Sequence, residues 1–327
     1  MTFITHLADS ARRATRVAMG ATLGLGLVCA VALGAPVPVF AQEVAATAPS
    51  IRAIPQAQGS GPALWVISDV DSTIYLFGTV HVLRPSTGWS SPGLEAAIDS
   101  ASEVWFEIED PSDQSAVMPL VQQYGVSPDR PLSSLITTGD LNLLNLAASK
   151  IGLNAVQMDI FRPWLAALTL SVAPLVEAGY DPQSGVELVL RQRALASGKP
   201  VKGLETADEQ VRILAGFPEP AQVAFLHETL RGFEDATTDL DALVAAWAAG
   251  DVDGVRRLGV DEMKAGGEEL YQSLLVNRNR NWAGQIQTML DGSGVVFIAV
   301  GAAHLAGDDS VQEILQDRGI SARRVQP

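Results

Sequence analysis

The spacing of apolar residues changes period twice along the chain. "ALWVI" (63–67) and "TIYLFGTV" (73–80) are dense in β-branched and aromatic residues, and the "SDVDS" between them, with two aspartates, predicts a hairpin turn. "SPGLEAAIDSAS" (91–102) puts a serine and a proline ahead of an amphipathic run and predicts a short helix. "EVWFEIED" (103–110) is the next strand, which completes the pattern of a βαβ unit. From about residue 112 to 290 apolar residues recur at helical spacing, broken by one short strand-like run, "KPVKGLE" (199–205). Strand character returns in "GVVFIAVGAAHL" (294–305), followed by a helix in "DSVQEILQDRG" (309–319) and a last strand in "SARRVQ" (321–326). The ends are α/β and the middle is helical. This predicts an α/β (α+β-like) fold: a central mixed sheet built from N- and C-terminal segments, with a large helical insertion or cap over about 112–290.

The first residues belong to another pattern. Arg12, Arg13 and Arg16 precede an uncharged, mainly apolar stretch from Val17 to Phe40, and "APVPVFAQE" then offers small residues at Val39 and Ala41. Residues 1–41 read as an export signal, and Pro36 and Pro38 argue against an uncleaved anchor. Residues 42–61 read as a flexible leader, and 62–327 as a single domain. Cleavage after Ala41 would remove Cys29, the single cysteine, so the expected mature chain has no disulfides. The 22 basic residues less three and the 37 acidic residues less Asp9 leave 19 against 36, a net charge of −17. Such a surface repels nucleic acid and anionic lipid. The expectation is a periplasmic or secreted protein with no nucleic-acid partner and no stable membrane insertion once the signal is cleaved.

Candidate chemistry lies where strands end. "LFGTVH" (76–81) and "AVGAAH" (299–304) both run from strand through a glycine and two further residues to a histidine. His81 and His304, preceded by Gly78 and Gly301, are two of the three histidines left after residue 41. In open α/β sheets ligand sites form beyond the carboxyl ends of strands. Glu107 takes the matching place after "EVWF", where a carboxylate among apolar residues must pair or coordinate. Glu109 is expected on the same side by strand alternation. Two imidazoles and a carboxylate suit a divalent metal that activates water, although a histidine at a strand end can equally be a hydrogen-bonding cap. His227, on the amphipathic helix "AQVAFLHETL", reads as surface or packing, and "NRNRNW" (277–282) reads on composition as a solvated stripe over Trp282.

The order of "LFGTVHVL", "VWFEIED", "RPW" (162–164), "GVELVL" (185–190), "KPVKGLET" (199–206), Glu209-Gln210, "WAAGD" (247–251), "NRNRNW" and "VGAAHLAGDDSV" (300–311) resembles the TraB/GumN family across residues 62–327. That family is similar to the secreted Tiki metalloproteases and, more distantly, to erythromycin esterase-like and ChaN-like proteins. The resemblance implies one site formed by both GxxH motifs with a glutamate and an arginine/asparagine element: His81 and His304 as metal ligands, Glu107 as third ligand or base, and Arg278 and Asn279 as catalytic groups. It implies a peptidase that uses Mn or Co, with Zn as a further candidate, on a peptide or small-molecule substrate. The alternative it leaves open is a regulatory protein that binds a peptide signal, haem or metal without turnover. Many members carry aspartate where Glu187 stands, and no role is read for that carboxylate.

Overall fold

The computed structural model describes residues 54–325. The expected export signal and most of the leader therefore lie outside the described residues. Six strands form one sheet: β1 (Leu64–Ser68), β2 (Ser72–Thr79), β3 (Glu103–Phe106), β4 (Val201–Gly203), β5 (Gly294–Gly301) and β6 (Arg323–Arg324), in the order β4-β3-β5-β2-β1-β6.

β1 and β2 form the expected hairpin, with Leu64 opposite Phe77 and Ser68 opposite Thr73. Its turn closes because Oδ1 of Asp69 accepts the backbone N–H groups of Asp71 and Ser72 at 3.1 and 2.8 Å. This is the local bonding that makes aspartate a turn residue. Helix α1 (Pro92–Ser100) starts as its sequence predicts, with Pro92 in the first turn and Oγ of Ser91 accepting from the N–H of Leu94 at 3.3 Å. The chain then enters β3, yet β3 does not lie beside β2. The strand from the other end of the chain, β5, fills the gap, parallel to β2 from Ser72–Gly294 to Thr79–Gly301 and parallel to β3 from Glu103–Val296 to Phe106–Ala299. β4, from inside the helical block, adds the outer parallel edge. The sheet is thus built from both ends, as expected, with one edge strand drawn from the middle.

The continuous apolar run of β5 follows from this central position, because a parallel strand covered on both faces needs no polar side. Phe297 and Ala299 join Leu64, Phe77, Val104 and Phe106 in the larger core under the helical block. Val296, Ile298 and Val300 join Trp65, Ile74 and Leu76 on the other face. That second face is covered by α9 (Asn277–Leu290) and α10 (Val311–Asp317) through Trp282, Ile286 and Leu315.

The block comprises α2 (Gln114–Gly125), α3 (Thr138–Lys150), α4 (Pro163–Glu177), α5 (Val186–Ala196), α6 (Ala207–Ala215), α7 (Glu219–Gly232) and α8 (Ala236–Ala248), with β4 between α5 and α6 and shorter helical turns elsewhere. α4 is buried on nearly every side, from Pro163 through Leu170, which explains its apolar residues all round. Among the described residues, no helix is long and apolar enough to cross a membrane.

The described end of the expected leader is tied down. The carbonyl of Pro55 accepts from the N–H groups of Trp89 and Ser90 at 2.9 and 3.1 Å, and the N–H of Ala57 donates to Ser90 at 2.9 Å. A side chain at Gly88 would collide with the carbonyl of Gln56 at 2.1 Å, so this glycine permits the approach.

Candidate active site

All four parallel strands point their carboxyl ends at one cluster. His81 follows β2, Glu107 follows β3, Glu205 follows β4, and His304 sits in a single helical turn after β5. Relative exposures are 3% for His81, 1% for Glu107 and 0% for His304, so the cluster is interior.

His81 is one half of a buried ion pair. Its Nδ1 lies 2.8 Å from Oε1 of Glu187, and the hydroxyl of Thr79 donates to the same carboxylate oxygen. Burial opposes charge on His81, but Glu187 outweighs it and the imidazole pKa is raised. Burial likewise pushes Glu187 upward, yet His81 and the hydrogen bond from Thr79 prevail and its pKa is lowered. The helix bearing Glu187 reaches this position because Gly185, its N-cap, packs directly on the backbone of residue 81. A Cβ there would stand 2.2 Å from the carbonyl oxygen of His81. The N–H of Val186 closes the contact on the carbonyl of Val80 at 3.0 Å.

Arg278 occupies the centre. Its Nε faces both oxygens of Glu205 at 3.0 and 3.1 Å, and Nη1 donates to the carbonyl of Leu274 and to Nε2 of His304, each at 3.1 Å. Nη2 donates to Oε2 of Glu107 at 2.7 Å and to Oε1 of Glu205. All five N–H donors of a guanidinium are engaged in this way. Burial works against the Arg278 charge, but Glu205 and Glu107 hold its pKa above the ordinary value. Glu205 is raised by its own burial, with Arg278 pulling the other way and the like charge of Glu107 adding to the rise. Gln210 bridges the two carboxylates from Nε2, 3.0 Å to Glu107 and 2.8 Å to Glu205, and the N–H of Gly301 donates to Oε1 of Glu107 at 2.8 Å.

His304 is fixed from its other nitrogen. The amide nitrogen of Asn279 donates to the carbonyl of Asp309 at 2.7 Å, so its Oδ1 faces Nδ1 of His304 at 2.5 Å. His304 therefore carries its proton on Nδ1 and accepts from Arg278 at Nε2. Trp282 closes the cluster from below, its ring centroid 4.4 Å from that of His304 and 4.7 Å from Cζ of Arg278. The "NRNRNW" stripe is thereby resolved. Arg278, Asn279 and Trp282 turn inward, while Asn277, Arg280 and Asn281 face solvent. A π-helical turn, Gln272–Val276, immediately precedes this helix, a local under-winding that recurs at functional sites.

The expected donor set can now be tested against a metal. Each imidazole is held at Nδ1 by a side-chain oxygen, the manner in which metal-bound histidines are oriented. The remainder does not fit. Glu107 receives three N–H donors, Arg278 donates to the nitrogen His304 would offer, and among the described residues no three His, Cys, Asp or Glu side chains are grouped to hold an ion. His81, Glu107 and His304 are brought to one strand edge without forming a ligand triad, because a guanidinium stands between them. Asn279 also departs from the expected catalytic contact: both ends of its amide are used to hold His304. Glu109 is exposed, since β3 ends at Phe106 and strand alternation does not continue to residue 109. His227 lies outside the cluster, its Nδ1 2.7 Å from Oδ1 of Asp140.

Three members of the site were not read from the sequence. Glu205 follows β4 much as Glu107 follows β3, so the strand-end rule applied to "KPVKGLE" would have found it. Gln210 and Glu187 lie in stretches that carry the family resemblance, but the spacing of their helices does not mark them as site residues. The glycines and "WAAGD" gain reasons as well. A Cβ at Gly78 would lie 3.1 Å from Cα of Ala302 in the second motif, and Nε1 of Trp247 donates to the carbonyl of Gly78 at 2.7 Å.

A parallel-centred sheet whose strand ends carry two GxxH histidines and two carboxylates, with an arginine from α9 buried among them, defines an α/β protein with a composite centre. The chain belongs to the TraB/PrgY/gumN family, whose profile matches residues 63–324. It is 25% identical over 185 residues to the uncharacterized protein YbaP of Escherichia coli K12, covering 57% of this chain and 68% of that one, and it matches YbaP of Shigella flexneri to the same extent. No solved structure matches the chain.

Proposed function

We propose that the chain is a hydrolase acting on peptides, exported from the cytoplasm, with the strand-end cluster as its active site. The observation that carries this reading is the His81–Glu187 pair. A buried carboxylate holding Nδ1 of an imidazole fixes the tautomer and supports the imidazolium formed when Nε2 takes a proton. The neutral form of His81, in equilibrium with the charged form that Glu187 favours, removes a proton from water, the oxygen attacks the substrate carbonyl, and the carbon–nitrogen bond breaks as His81 returns that proton to the leaving amine. Arg278 supplies the positive charge that favours an oxyanion nearby, and Asn279 and Glu205 are positioning residues acting through His304 and Arg278.

Peptide as the substrate class rests on the likeness to Tiki-type proteins. A location outside the cytoplasm rests on residues 1–41, and the net charge of −15 argues against a nucleic-acid partner. A peptide library incubated with the purified protein and followed by mass spectrometry tests the reading. Cleavage lost in His81→Ala and strongly reduced in Glu187→Gln is the expected result. The burial of the centre and the engagement of every N–H of Arg278 favour a second reading, capture of a peptide signal without turnover, which predicts recovery of bound peptide intact. Intact-mass measurement of protein recovered from the periplasm tests export through loss of residues 1–41.

A further inference from the structure

The central guanidinium raises a question that the proposed chemistry does not answer: why a centre flanked by two metal-style histidines should have an arginine at its middle. The acceptors around Arg278 are two carboxylates, an imidazole nitrogen and a backbone carbonyl, from Glu107, Glu205, His304 and Leu274, with the contacts whose distances are given above between 2.7 and 3.1 Å. That set of oxygen and nitrogen donors is one that divalent first-row metals take. Each acceptor is already bonded to an N–H of the same side chain, and Arg278 is 5% exposed. The charge balance agrees, since the guanidinium sits between two buried carboxylates that would otherwise repel each other.

The geometry points to Arg278 as a built-in replacement for a metal ion: its guanidinium is the resident cation of the centre, the wild-type chain binds no divalent metal there, and removing the guanidinium lets Glu107, Glu205 and His304, which around the arginine are not grouped to hold an ion, close on one. Arginine suits this role because it stays protonated at any physiological pH and its planar fork meets carboxylates at fixed angles. Asn279 and Trp282 serve the same arrangement. One fixes the proton of His304 on Nδ1, leaving Nε2 as the acceptor for Arg278, and the other supports the flat guanidinium from below at 4.7 Å.

This inference deepens the reading of the same site as a hydrolase, and binding measurements separate the two. Mn²⁺, Co²⁺ and Zn²⁺ are each titrated by calorimetry into purified wild-type protein, Arg278→Ala and the double variant Arg278→Ala/His304→Ala. The expected result is no saturable binding to wild type, one site per chain in Arg278→Ala at least about tenfold tighter than any wild-type signal, and loss of that site in the double variant. Saturable one-to-one binding to wild type that is weakened by His304→Ala overturns the inference and leaves the hydrolase reading standing. Failure of the arginine variant to gain a site also overturns it. If Arg278→Ala does not fold, Arg278→Met keeps the aliphatic stem over Trp282, and the same titrations and the same outcomes apply. Peptide cleavage by wild type that survives exhaustive chelation agrees with the inference, while absence of cleavage counts only against the hydrolase reading.

Discussion

Cutting the His81–Glu187 pair from either side has a cost that the geometry sets. The two charged groups lie 2.8 Å apart with side-chain exposures of 3% and 8%. At an effective dielectric near 20 their attraction is about 6 kcal/mol, most of it offset by the desolvation of two buried charges. Removing one partner leaves the other charged and buried, a loss of about 3–5 kcal/mol. His81→Ala and Glu187→Ala should each destabilise by about that amount, which lowers the melting temperature by about 2–4 °C per kcal/mol in a chain of this size. Glu187→Gln keeps an acceptor for Nδ1 and for the hydroxyl of Thr79 and forfeits only the charge-assisted part, about 1–2 kcal/mol. Thermal and denaturant unfolding at pH 6, above the ordinary 4.5 of glutamate and below the ordinary 6.5 of histidine, provides the cycle. The double alanine variant should be less destabilised than the sum of the singles by at least about 1 kcal/mol. Additivity within about 0.5 kcal/mol would refute the pairing.

Other consequences are quick to check. Gly185→Ala should cost about 1–3 kcal/mol by forcing the helix of Glu187 away from the carbonyl of His81, and should lower any peptide cleavage together with the melting temperature. Trp247→Phe removes the donor to Gly78 and should cost about 1 kcal/mol by denaturant unfolding, with the fold retained. Asp140 has a pKa lowered despite its burial, through Thr137 and His227. Its contribution to stability is present above the ordinary carboxylate value of 3.8 and is lost as pH falls through the lower folded value. An acid-unfolding midpoint that moves upward in Thr137→Ala is the expected sign, and an unchanged midpoint counts against the assignment.

The parts legible in the sequence were those written locally. Hairpin, α1 and the two GxxH strand ends all follow from period, turn residues and capping, and the distance between "LFGTVH" and "AVGAAH" along the chain pointed to a sheet closed from both ends. The cluster was legible only where a chemical group sits at a strand end, as His81, Glu107 and His304 do. Glu187 and Gln210 enter from helices whose faces give no sign of what they meet, and the inward turn of Arg278 and Asn279 depends on helical phase after a π turn, which hydrophobic spacing does not encode. Their partnership exists only as tertiary contact. Backbone pairing is likewise silent in composition: the carbonyl of Pro55 finds donors at Trp89 and Ser90 regardless of side chain.

The place of β5 between β2 and β3 has a consequence for the order in which the chain can fold. Until residues 294–301 arrive, the β1–β2 hairpin and the β3–β4 pair have no strand to join them, and each presents a bare backbone edge toward the other. The keystone strand is synthesised after both of the pairs it joins, so the long-range pairings that unite the sheet wait for it. A chain truncated before residue 294 would keep most of its helices and both halves of its sheet yet have nothing to lock them, and would be released as an aggregation-prone fragment rather than as a smaller working domain.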